Sequence, residues 1–110
     1  MNREEKTEKL KGLCSDLEEH EKQDVMRMWD WLLSRTDGRI RVPDGVFWNR
    51  VSGDATIWFN LRGFEMSVEP GSNLCIAKFS DGWAQVVVHF RISDTENCET
   101  LDKIIEKCCE

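Results

Sequence analysis

IWFNLRGFEMSVEPGSNLCIAKFSDGWAQVVVHFRI, residues 57–92, is the stretch whose reading decides the fold. Three short connections, Arg62-Gly63, Pro70-Gly71 and Asp81-Gly82, divide it into four segments in which apolar and polar residues alternate. Alternation with a period of two marks a strand with one buried face. In a two-residue hairpin the residues flanking the turn pair and share a face. A turn at Arg62-Gly63 pairs Leu61 with Phe64, Phe59 with Met66 and Ile57 with Val68. Pro70-Gly71, suited to a type II turn, sets Met66 opposite Cys75 and Phe64 opposite Ala77. Asp81-Gly82, a strong hairpin signal, sets Phe79 opposite Ala84, Ala77 opposite Val86 and Cys75 opposite Val88. Phe90 and Ile92 continue the same side. Every member of this phase is apolar, and a slip of one residue at any turn would mix polar side chains into it.

Upstream, Val46 to Ser52 reads as a further strand with two registers open to it. A tight turn at Gly53-Asp54 puts Val46, Trp48 and Arg50 on the apolar face. One residue more puts Phe47, Asn49 and Val51 there. Arg39 to Val42 is expected to be a short edge strand, followed by a turn at Pro43-Asp44-Gly45.

The first third reads as helix. Leu10, Leu13, Cys14 and Leu17 recur at helical spacing, as do Val25, Met28, Trp29 and Leu32. Ser15-Asp16-Leu17-Glu18 has the form of a capping box, so either a second helix starts at Ser15 or one helix runs through. Trp31 falls off the apolar stripe, and Gly38 suits the left-handed residue after the last turn. Ser93-Asp94-Thr95-Glu96 is another capping-box pattern. It leads into a helix with a stripe of Cys98, Leu101, Ile104, Ile105 and Cys108. The expectation is one α+β domain over 1–110, in two layers: helices over 3–36, an antiparallel meander of four to six strands over 39–92, and a helix over 94–109.

Composition narrows the function classes. The 110 residues carry 15 basic and 21 acidic side chains, a net charge of −6, with much of the acid near the two ends. With a pI near 5.0, direct nucleic-acid binding is not expected, because such domains carry a basic face. No apolar run approaches the ~20 residues that span a bilayer, so no membrane role is expected. Five cysteines, an odd number, follow no signal-like segment after Met1 and point to free thiols in a reducing cytoplasm. Cys14, Cys75, Cys98 and Cys108 fit apolar stripes and read as buried thiols. Cys109 reads as the exposed one.

Catalysis needs a nucleophile, a base and an orienting group within reach. His20 sits in a solvated run, and His89 points to the opposite side of its strand from the neighbouring Cys75 phase. No phosphate-cradling glycine loop, Gly-x-Ser-x-Gly or His-Glu-x-x-His occurs. No catalytic residue, metal site or cofactor is expected.

What remains is the other side of the sheet. By the registers above it carries Trp58, Asn60, Arg62, Glu65, Ser67, Leu74, Ile76, Lys78, Trp83, Gln85, Val87, His89 and Arg91. Two rows emerge: Trp58, Ser67, Leu74, His89, and Asn60, Glu65, Ile76, Val87. An apolar centre inside a polar rim is how partner surfaces look. The N-terminal helices, through Trp29 or Trp31, are the competing cover for it. The expected function is a non-enzymatic acidic interaction protein of inhibitor, immunity-type or anti-defence kind. It would bind another protein, one with a basic surface, through Trp58, Glu65, Ile76, Lys78, Trp83, Val87, His89 and Arg91, with self-association through paired sheet faces also open. The alternative is a small-molecule-binding domain or small enzyme with a groove between helices and sheet, using Glu65, His89 and Arg91.

Overall fold

A computed structural model describes residues 1–80, 83–97 and 99–108. The order is α1 (Arg3–Leu13), α2 (Glu19–Arg35), β1 (Val46–Trp48), β2 (Ala55–Leu61), β3 (Phe64–Glu69), β4 (Leu74–Ser80), β5 (Gln85–Arg91) and α3 (Glu99–Cys108). The five strands form one antiparallel sheet in sequence order, a meander. The architecture is α+β, with helices packed on one face of the sheet.

The buried face carries most of the expected residues, but Ala84 falls in the link before β5 and is exposed, and Val86 is 41% exposed. Ile57, Phe59, Met66, Val68, Cys75 and Ala77 are buried, and they join Leu10, Val25, Met28, Trp29 and Leu32 from the helices in one core. Trp29 stacks on Phe59, ring centroids 5.9 Å apart, and donates its indole N–H to Thr7 Oγ1 at 2.9 Å. One side chain thus ties α2 to the sheet and to α1. Leu101 and Ile105 of α3 complete the layer.

The registers differ from expectation in an instructive way. The Arg62-Gly63 turn is as read, with Leu61 opposite Phe64 and Gly63 at φ 76°. At the next connection Val68, not Met66, pairs with Cys75, and Met66 pairs with Ala77. The link is four residues, not two. Pro70–Ser72 forms a 3₁₀ turn and Asn73 adopts the left-handed region at φ 53°. This turn lies close to α2 and to the loop before β2: a Cβ on Gly71 would be 3.6 Å from Glu21 Oε2 and 3.2 Å from Asp54 Oδ1. The third connection is also longer, with Ser80 paired to Gln85 and Ala77 to Val88. Each register therefore moves by two residues. A shift of two keeps every side chain on its face, because successive residues alternate.

Other boundaries are corrected. Val46 and Trp48 pair with Ile57 and Ala55, so they lie on the apolar side as in the first of the two readings, but the link is residues 49–54 rather than a tight turn at Gly53-Asp54, and Arg50 falls in it. The 39–42 segment is not a strand. Its one ladder-like bond runs from Arg41 N–H to the Asn60 carbonyl. There are two N-terminal helices, but the second starts at Glu19 rather than Ser15. Leu17 is buried between them, and Glu18 N–H donates to Glu21 Oε1 at 3.4 Å. At the end of α2, Asp37 as well as Gly38 is left-handed, and Gly38 N–H reaches back to the Leu33 carbonyl.

The last helix does not start after Ser93, and the Glu96 side chain of the capping-box pattern lies outside the described residues. Residues Ile92–Asn97 are a 3₁₀ helix, and α3 begins at Glu99. Ser93 is engaged elsewhere: its N–H donates to Asn73 Oδ1, and its hydroxyl oxygen accepts from Asn73 Nδ2. The expectations for Cys98, Cys109 and the side chains of Ile104 and Cys108 lie outside the described residues. No helix among the described residues is long and apolar enough to cross a membrane.

Candidate functional site

Among the described residues no helix lies over the second face of the sheet. Trp29 is spent on Phe59, and Trp31 is half-buried on α2 with the Arg35 guanidinium 5.6 Å from its ring centre. Neither tryptophan covers this second face. Trp58 is 41% exposed and Val87 44%, and Asn60, Lys78, His89 and Arg91 are exposed beside them.

The two-residue slips rearrange this face without inverting it. The central row is Trp58, Ser67, Ile76, His89, so Ile76 replaces Leu74. The next row is Asn60, Glu65, Lys78, Val87, and Leu74 sits at the far end between Glu69 and Arg91. Ser67 is buried although no helix lies over it, and it forms a small floor between Trp58 and Ile76. Val87 is diagonal to Ile76 across β4 and β5, within reach of it for side-chain contact. Phe47, 61% exposed and opposite Thr56, extends the apolar surface onto β1. Glu65 and Lys78 face each other as an opposite-charge cross-strand pair at the rim.

Seven of the eight expected site residues, Trp58, Glu65, Ile76, Lys78, Val87, His89 and Arg91, thus share one face. Trp83 does not. It is 99% exposed in the connection before β5, because the ladder opens only at Gln85. Phe47 was missed, because the register of β1 could not be chosen from sequence.

At the Gly63 end of this face lies a cleft of about 540 Å³, with Arg41, Asp44, Asn60, Arg62, Glu65 and Lys78 among its lining residues. Of the groups expected to serve a small ligand, Glu65 lines it, whereas His89 and Arg91 do not. The cleft is at the hairpin end of the open face, not between helices and sheet, where the core fills the space.

The thiols are placed against nucleophilic chemistry. Cys75 is fully buried on the helix side, and burial, reinforced by the charge of Asp24, pushes its pKa up to about 12. Cys14 is likewise raised by burial, which Lys22 partly opposes. A thiol held protonated is a poor nucleophile. His89 is on the opposite face from Cys75. Among the described residues, Glu18, His20 and Glu21 bring three ligand-type atoms within 4.8 Å of one another at the exposed start of α2. There the Glu21 carboxylate already accepts the Glu18 N–H.

No protein-family model matches this chain, and no curated protein or solved structure is similar to it.

Proposed function

We propose that this protein is a non-enzymatic interaction protein that binds a protein partner through the uncovered face of its sheet. The observation that carries the reading is the Trp58–Ser67–Ile76 row, flanked by Val87 and Phe47. A half-exposed tryptophan over a small buried floor, inside a rim of Glu65, Lys78, His89 and Arg91, has the composition of an interface centre. The net charge of −6 would favour encounter with a basic partner at low salt. An inhibitor, immunity-type or anti-defence role, in a cytoplasmic setting, suits a small protein that acts by occupying another. The test is capture of the partner from native lysate, followed by affinity measurement with Trp58→Asp and Val87→Asp. Placing a carboxylate at the interface centre should weaken binding at least ~10-fold. Wild-type affinity in both variants would remove this face from the function.

A second reading rests on the 540 Å³ cleft, whose Arg41, Arg62 and Lys78 suit a small anionic ligand. Retention of such a ligand on the purified protein, lost in Lys78→Ala with the fold intact, would favour it over the first.

A further inference from the structure

The two edges of the sheet are unequal. β1 is three residues long and preceded by Pro43 and Gly45, a short edge that offers little to pair with. β5 is seven residues, Gln85–Arg91, and its register with β4 runs unbroken from Gln85 to Arg91, without a bulge. It contains no proline, lysine, aspartate or glutamate. Proline, lysine, a bulge and a short length are devices that keep an edge strand from pairing; this edge lacks them, and its one permanent charge, Arg91, stands at its end.

The direction of its free backbone groups follows from two bonds. Ile92 N–H reaches the Asn73 carbonyl, and Ser80 N–H turns the other way, to the Gly63 carbonyl on the β3 side. Backbone groups alternate along a strand, so Val86, Val88 and Phe90 bond to β4. Gln85, Val87, His89 and Arg91 then aim their N–H and C=O groups outward, where no described strand stands beside them. On the helix side the strand is also incompletely covered. Val86 is 41% exposed, and Val88 and Phe90 are only half-buried, unlike their cross-strand partners Cys75 and Ala77.

We infer that β5 pairs antiparallel with β5 of a second copy of this chain, about a two-fold axis at Val88, to make one continuous ten-stranded sheet. The strand is self-complementary in that register, the one that uses all seven residues. Gln85 meets Arg91 of the partner subunit and Val87 meets the partner's His89, so no charge faces its like. On the helix side Val86 meets the partner's Phe90, and Val88 meets its own copy. These aromatic and β-branched pairs are the favourable cross-strand kind. The outward groups of Gln85, Val87, His89 and Arg91 all gain partners. The axis stands normal to the sheet, so the open faces of both copies lie on the same side. The inference stands on the edge alone and is independent of what binds that face.

Sedimentation under reducing conditions tests it. The expected mass at high concentration is twice 12.9 kDa, falling toward 12.9 kDa on dilution. Val87→Pro removes an outward N–H while sparing the bonds to β4, and should raise the dimer dissociation constant at least ~10-fold. In the paired register Val88 and its copy form a non-hydrogen-bonded pair, with Cα atoms about 4.5 Å apart, within disulfide reach. Val88→Cys should therefore cross-link to itself on mild oxidation, with the 88–88 bond found by peptide mapping, over the background of the native thiols. A wild-type chain that remains at 12.9 kDa at millimolar concentration overturns the inference. A dimer unaffected by Val87→Pro does so too, as does a Val88→Cys protein whose added cross-links avoid position 88.

Discussion

Trp29 shows how one residue can hold the layers together. Its ring lies on Phe59 and its N–H is taken by Thr7, so truncation removes packing with the sheet and a bond to α1 at once. Trp29→Ala should cost about 3–5 kcal/mol, read as a lowered denaturation midpoint, and a loss under 1 kcal/mol would contradict this placement. The helical spacing of Val25, Met28, Trp29 and Leu32 made that burial legible in the sequence. The role of Thr7 was not, because its partner is 22 positions away. Cys75 makes a pH-dependent prediction. Its folded pKa, raised to about 12, exceeds the ordinary value of 9.0, so the native state holds this proton more tightly than the unfolded chain. Its contribution is fully present below pH 9 and is lost as pH rises through 9 toward 12. Denaturation midpoints should fall more steeply above pH 9 in the wild type than in Cys75→Ala, and parallel curves would refute the shift. Both Cys14 and Cys75 should resist thiol reagents until the protein unfolds.

At the level of elements, the connections carry what sequence alone left open. Asn73 holds a left-handed backbone conformation and clamps Ser93 through two hydrogen bonds, joining the β3–β4 link to the turn after β5. Asn73→Ala loses both bonds and strains the backbone. It should destabilise by about 1–2 kcal/mol, whereas Asn73→Gly, which relieves the strain, should cost less. Equal losses for the two would show that the backbone conformation is immaterial. The same clamp holds Ser93 at the start of the Ile92–Asn97 3₁₀ helix, and α3 begins only at Glu99. Likewise Ser15 does not start α2, because Cys14 and Leu17 must both be buried where the chain turns between helices. A short capping motif states a local preference, and here long-range burial and hydrogen bonding outweigh it.

Across the whole molecule, three helices on one face leave the other face of the meander open, and the edge strand β5 stands unprotected beside it. Since Trp58 and Val87 are both partly exposed, Trp58→Asp and Val87→Asp should leave the denaturation midpoint within about 1 kcal/mol of wild type while abolishing capture of a partner. A large loss of stability in both would instead make this face part of the folding core. The sequence by itself determined which side chains share the buried face, because strand alternation is a local property that survives any slip by two residues. Tertiary structure decided which residues stand opposite one another, where the helices begin, and that the second face stays bare. Those depend on how Pro70–Ser72 lies near α2 and on how Trp29 meets Phe59, contacts between segments that no local pattern encodes.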